Sequence, residues 1–267
     1  MTPEERYLFD LQGYLVLPQV LPMELVQRLN TEIDKLETLN DEDAAAIGIM
    51  RKYHDQVETG AKDDFTADRS RDYDCNVLRL GGPVEELIDC PNTLPYIDAM
   101  ISEPLRLDVC MFMSRNQGRS SGLHHGYAEL LAYCEYAFGA GEFKCVSVKV
   151  AYALTDVAKE EGAFAVIPGS HKSNFDNPIA GQIPDKNHPL IETCPCKAGD
   201  AVIFTEDLTH GALVNRSNKT RRTIFISYAP AFQSPKGKLA ETADSFEERA
   251  TPRQLELVKG PSPFVIA

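Results

Sequence analysis

GDAVIFTEDLTHGALVNRSNKTRRTIFISYAP, residues 199–230, is the stretch on which the fold of this chain turns. Gly199-Asp200 is a turn signal, and the apolar run from Ala201 to Phe204 behind it reads as a short strand. His210 follows, then a polar loop from Asn215 to Thr220, then a second strand from Thr223 to Tyr228. A neutral imidazole at a strand end is a good ligand for a divalent transition metal. Arg221 opens the returning strand eleven residues after that histidine. In a hairpin-like return it lies close to His210 and presents a fixed fork of donors to a carboxylate. The combination suggests a site for iron and an organic diacid. A surface histidine and two solvated arginines fit the same letters equally well.

Upstream of this stretch the texture is that of strands at wide, turn-punctuated intervals: Leu107 to Met113, Cys145 to Leu154 and Ala163 to Ile167. Helical patterns gather nearer the start. Residues 3–10 form a short helix with Thr2 as N-cap and Pro3 at the first helical position. Gly13 to Pro18 reads as a strand. From Pro22 to Leu39, Leu25, Leu29, Ile33 and Leu36 recur at spacings of four, four and three, a single apolar stripe that needs a sheet to cover it. Residues 40–75 are acidic with few periodic apolar positions, and read either as an irregular insertion over a pocket or as a solvated loop. Residues 84–102 read as helix broken at Pro91 and near Pro95. The tail carries one more helix, Pro252 to Val258, capped by Thr251. The expected class is a mostly β domain with flanking helices, one domain over residues 1–267.

Composition narrows the function. The chain has 267 residues, 43% hydrophobic and 25% charged, ordinary for a soluble globular protein. No apolar run approaches the roughly 18 residues of a membrane span, and the start has no secretory pattern. A formal charge of −13 argues against nonspecific nucleic-acid or anionic-membrane binding. Seven cysteines form an odd set, and Cys194-Pro195-Cys196 has no second pair to complete a zinc site. Reduced thiols in a cytoplasmic protein are the simplest account. The expected partner is a small molecule, and oligomeric state is unreadable.

The other distinctive stretch is SGLHHGYAE, residues 121–129. Non-haem iron oxygenases hold the metal on one face with two histidines and one carboxylate, leaving other positions open. The carboxylate usually sits two residues after the first histidine. Here His124-His125 is followed by Gly126, so the histidines are present and the acid is absent.

These stretches resemble the phytanoyl-CoA dioxygenase family of iron(II)- and 2-oxoglutarate-dependent oxygenases. FDLQGYLVLPQVL near the start, LHHG at 123–126, ALTDVAKEEGAFAVIPGSHKSNF at 153–175 and KAGDAVIFTEDLTHGALVNRSNKTRRTIFISYAP at 197–230 carry the resemblance, in the family's order. It implies a double-stranded β-helix core, a jelly roll of the cupin kind. It implies His124 and His210 as iron ligands and Arg221 as the holder of the distal carboxylate of 2-oxoglutarate, with oxygen as cosubstrate. Thr223, two residues on along the same face of a strand, is placed to add its hydroxyl to that carboxylate. His125 alternates with His124 and should point away from the metal. His171, in the PGSHKSN turn, has a structural reading; His54 and His188 read as solvated, and Arg222 as a surface or packing residue.

Gly126 leaves three functional readings. Another acid, with Glu129 nearest, or a water completes the iron site of a hydroxylase. Chloride fills the vacancy, as the resemblance allows for some halogenases with glycine or alanine at this position. Or the chain binds a metabolite without catalysis. Retention of His124, His210, Arg221 and Thr223 favours oxygenation. The substrate is unreadable, and Tyr127, Tyr133 and Tyr136 fit either a pocket mouth or packing.

Overall fold

A computed structural model of the chain describes residues 1–53, 73–126, 136–233 and 240–260. Its strands in chain order are β1 (Tyr14–Leu17), β2 (Arg51–Tyr53), β3 (Tyr73–Asn76), β4 (Leu105–Arg115), β5 (Ser121–His124), β6 (Ala137–Gly139) and β7 (Glu142–Lys144). They continue with β8 (Val148–Ala153), β9 (Phe164–Val166), β10 (Glu192–Cys194), β11 (Ala201–Thr205), β12 (His210–Ala212) and β13 (Arg221–Pro230). The helices are α1 (Pro3–Gln12), α2 (Met23–Thr38), α3 (Asp41–Ala46), α4 (Leu94–Met100), α5 (Phe246–Arg249) and α6 (Pro252–Lys259).

Two antiparallel sheets form the body. The larger has the order β1-β11-β8-β13-β4-β3-β2, the smaller β10-β9-β12-β5. The chain crosses between them from β4 to β5, β8 to β9, β10 to β11, β11 to β12 and β12 to β13. This is a jelly roll, the architecture the resemblance implies. Its central strands are apolar on both faces because both are covered. Val148, Val150 and Tyr152 of β8 join Ile203 of β11, with Ile224 and Ile226 of β13, in a core under the helices. The alternate residues Ala151, Val202, Phe204 and Phe225 meet Val166 and Cys194 of the smaller sheet. The period of two along each strand thus sorts neighbours into two different cores.

Helix α2 lays Val26, Leu29, Ile33 and Leu36 on the first core. Arg222, on the helix-side face of β13, fastens it there: its guanidinium pairs with Asp34 at 2.8 Å and Glu37 at 2.7 Å and donates to Asn30 Oδ1 at 3.1 Å. Arg222 is therefore a packing residue. Helix α1 begins with a full capping box between Thr2 and Glu5, and α6 with one between Thr251 and Gln254.

Some expectations need correction. The acidic segment 40–75 is not wholly irregular: Asn40 caps α3, whose first turn is Asp41, Glu42 and Asp43, and β2 and β3 extend the larger sheet. Acidic side chains suit a helix N-terminus, so the acidity that suggested a loop helps start a helix. Between 77 and 100, two 3-10 turns (Val77–Leu80 and Gly82–Leu87) precede α4, and Pro95 lies in its first turn instead of interrupting it. The strand expected from Cys145 begins at Val148. Strands β4 and β13 run longer than their apolar cores because they pair with each other from Arg115↔Arg221 to Leu105↔Pro230.

Candidate active site

β5 and β12 are neighbours in the smaller sheet, and their register sets His124 opposite His210. The imidazole centroids are 4.3 Å apart, tilted by 54°. In each ring Nδ1 lies 2.8 Å from the carbonyl oxygen two residues earlier, that of Gly122 for His124 and of Leu208 for His210. Those contacts suit an Nδ1–H donor, which leaves the Nε2 lone pair for a metal. His210 is buried against the rings of Phe164 and Phe204, whereas His124 is exposed. Burial, then the neighbouring His124, pushes the His210 pKa down to about 3, so the ring is neutral near pH 7. The donor set thus fits a divalent transition metal. Among the described residues, however, no three His, Cys, Asp or Glu side chains are already gathered to hold one.

The two histidines line a cavity of about 80 Å³ with Met111, Met113, Lys149, Phe164, Arg221 and Phe225. Arg221 separates it from a second hollow, lined also by Thr223, Cys194 and Cys196. Arg221 and Thr223 share the inward face of β13, being two residues apart. The guanidinium of Arg221 is buried, yet among the described residues no carboxylate pairs with it. Its Nη1 donates to the Gly162 carbonyl, its Nη2 lies 3.6 Å from Met113 Sδ, and its Nε has no hydrogen-bond partner among the described residues. Burial, then Arg115 nearby, lowers its pKa to about 10. It keeps its charge at neutral pH and carries a burial cost that the nearby Asp74 offsets only in part and that an anion would relieve.

The most informative contact lies beside Gly126. Its N–H donates to the Glu206 carbonyl oxygen at 2.9 Å. A β-carbon on residue 126 would stand 2.1 Å from Glu206 Cγ and 2.7 Å from its Cδ. The buried Glu206 side chain therefore occupies the volume in which an aspartate at 126 would begin. Its carboxylate accepts from Lys149 Nζ at 2.7 Å and comes within 4.0 Å of His210 Nε2.

Sequence reasoning missed both Glu206 and Lys149. Lys149 left a signal: in VSVKVAYA it interrupts a strand that is apolar on either side, so a cation is turned into the interior. Nothing in Thr205-Glu206-Asp207 tells which acid points inward.

The remaining sites fall as follows. His125 is exposed and does not line the cavity. His171 is buried in the turn Ser170–Lys172, its Nε2 3.1 Å from the Asp10 carbonyl. His188 is half-buried and accepts from the Leu190 N–H. Tyr136 packs: its hydroxyl donates to Asp10 at 2.6 Å and its ring meets Phe9, Phe143 and His171. His54, Tyr127, Glu129 and Tyr133 lie outside the described residues.

The sequence pattern of the phytanoyl-CoA dioxygenase family matches residues 9–223. Dioxygenase trt7 of Aspergillus terreus is 25% identical over 254 residues, covering 92% of this chain and 79% of that protein. Dioxygenase olcK of Penicillium canescens is 25% identical over 252 residues, covering 92% and 76%. Among solved structures, HygX of Streptomyces hygroscopicus with nickel and 2-oxoglutarate bound superposes with a TM-score of 0.69 at 22% identity, covering 94% of this chain and 95% of its own. That likeness is one of fold.

Proposed function

Because the chain belongs to the phytanoyl-CoA dioxygenase family, we propose that it hydroxylates a small-molecule substrate with iron(II), 2-oxoglutarate and oxygen, releasing succinate and carbon dioxide. The observation that carries this reading is the buried Arg221, without a carboxylate partner among the described residues, on the wall of the cavity that the two histidines line. A cation held that way calls for a small anion, and the far carboxylate of 2-oxoglutarate answers it.

In this reading His124 and His210 hold iron through Nε2. Bound iron supplies oxygen activation and the removal of hydrogen from an unactivated carbon. The protein's own work is positioning. Arg221, with the Thr223 hydroxyl beside it, fixes one end of the cosubstrate and so its orientation at the histidines. Phe164, Phe204 and Phe225 keep water from the inner wall. The exposed His124 side is where a substrate would enter. A small molecule is the substrate class in this reading, and HygX has been solved with hygromycin B bound. Halogenation is disfavoured, because the volume beside Gly126 that chloride would need is filled by Glu206.

The test is oxygen-dependent conversion of 2-oxoglutarate to succinate by the iron-loaded protein, measured with a panel of candidate substrates. Succinate is expected above the level of a His210→Ala control. Failure to bind either iron or 2-oxoglutarate would defeat the enzyme reading.

A further inference from the structure

We propose that Glu206 is the carboxylate ligand of the metal, reaching the histidine pair from the turn after β11 in place of the acid missing at Gly126, with Lys149 as its counter-ion while no metal is bound. The proposal rests on the iron-binding reading above.

Four observations converge on it. The first is shared volume: a β-carbon at residue 126 would collide with Cγ, Cδ and, at 2.8 Å, Oε1 of Glu206. An aspartate at 126 and the present Glu206 exclude each other, so the glycine is what admits the glutamate. The second is anchoring. The Gly126 N–H bond to the Glu206 carbonyl ties the two backbones together, and the Glu206 N–H donates to the Ser147 carbonyl at 3.0 Å. The base of the side chain is thereby held from both sides. The third is distance. Glu206 Oε1 lies 4.0 Å from His210 Nε2, and two atoms bound to one metal at right angles stand roughly 3 Å apart. A small torsional change of a long side chain closes that gap. The fourth is donor type: two imidazoles and one carboxylate make the ligand set of a facial iron site, which two imidazoles alone do not.

Lys149 explains why the trio is not already gathered. It sits on the inward face of β8, opposite Phe204 of β11, and draws the Glu206 carboxylate toward itself. A buried carboxylate without a cation would be costly, so Lys149 offsets that cost and holds the Glu206 side chain at the cavity wall until a metal competes for it. If Glu206 served only to neutralise Lys149, removing the lysine as well would return wild-type metal binding to Glu206→Gln, whereas a lost ligand stays lost in the double variant. The two roles therefore separate by substitution.

The experiment is titration of the metal-free full chain with cobalt(II), followed by calorimetry and by the visible spectrum of the bound ion. Glu206→Gln keeps shape and removes charge; it should weaken cobalt binding by roughly 10–100-fold or more and change the spectrum. Lys149→Met should bind cobalt at least as tightly as the wild type, since the competing cation is gone. Gly126→Asp combined with Glu206→Ala should restore most of the lost affinity, because the new acid enters the space the old one leaves. Wild-type affinity and spectrum in Glu206→Gln would overturn the proposal, as would wild-type affinity in the double variant Glu206→Gln with Lys149→Met. His210→Ala keeps the two levels apart: if it abolishes cobalt binding while Glu206→Gln does not, the histidine site stands and Glu206 is not its ligand. If His210→Ala binds as the wild type does, the iron reading itself fails.

Discussion

At the scale of the residue, burial decides which of several equal-looking side chains carries chemistry. Arg221 and Arg222 are adjacent, yet strand alternation turns one into the cavity and the other onto α2, where Asp34 and Glu37 neutralise it. Only the first has spare capacity for an anion among the described residues. Truncating it to alanine should cost about 2–5 kcal/mol of 2-oxoglutarate binding, the usual loss for a sequestered charge pair. Calorimetric titration of the metal-loaded protein measures this, and Arg222→Ala is the contrast: it should lower stability and leave 2-oxoglutarate affinity near that of the wild type. Equal affinity in Arg221→Ala and the wild type would remove the carboxylate clamp. Burial does not separate His124 from His125, both of which are exposed; only His124 lines the cavity.

At the scale of the element, the histidine pair is a product of strand spacing. β12 is only three residues long, and its middle residue, Gly211, lies against β5: a β-carbon there would come within 2.6 Å of the Ser121 carbonyl oxygen and 3.1 Å of that of Gly122. The Gly122 carbonyl is also the group that orients His124. Gly211→Ala should therefore push β5 from β12, cost about 1–3 kcal/mol of stability through overpacking, and weaken metal binding although no ligand is altered. Thermal melting and cobalt titration of that variant check the two effects together. If it melts lower but binds cobalt as the wild type does, the pair does not depend on this close approach.

At the scale of the whole molecule, the helical start is locked to the jelly roll through a buried histidine. His171 lies beneath the end of α1, its Nε2 facing the Asp10 carbonyl and its ring edge-on to Tyr136. Burial pushes its pKa down to about 4, against 6.5 for an ordinary histidine. A histidine with a depressed folded-state pKa binds its proton more readily once unfolded. Its stabilising effect is therefore complete above about pH 6.5 and is lost as pH falls toward 4, up to a loss on the order of 3 kcal/mol. Denaturant unfolding of the metal-free protein between pH 7 and 4 should show a shallower decline in His171→Gln than in the wild type. Parallel declines would show that this histidine is not buried in neutral form.

The sequence by itself determined the architecture and half of the site. Alternating apolar runs, the cap at Thr2, the stripe of α2 and the motif order around His124, His210 and Arg221 are local patterns, and the forces behind them act over a few residues. What only the tertiary structure decided are relations between distant segments. The extent of β4 and β13 follows from their pairing with each other, and the larger sheet draws its outermost strands from a segment whose acidity reads as loop. The candidate acid beside the histidine pair is the clearest instance. By sequence the vacancy at Gly126 points to Glu129 or to chloride, both close at hand. The fold instead brings Glu206, eighty residues away, into the same volume. Side-chain volume is shared in space and not along the chain, so the residue that fills a gap is visible only once the strands have been set side by side.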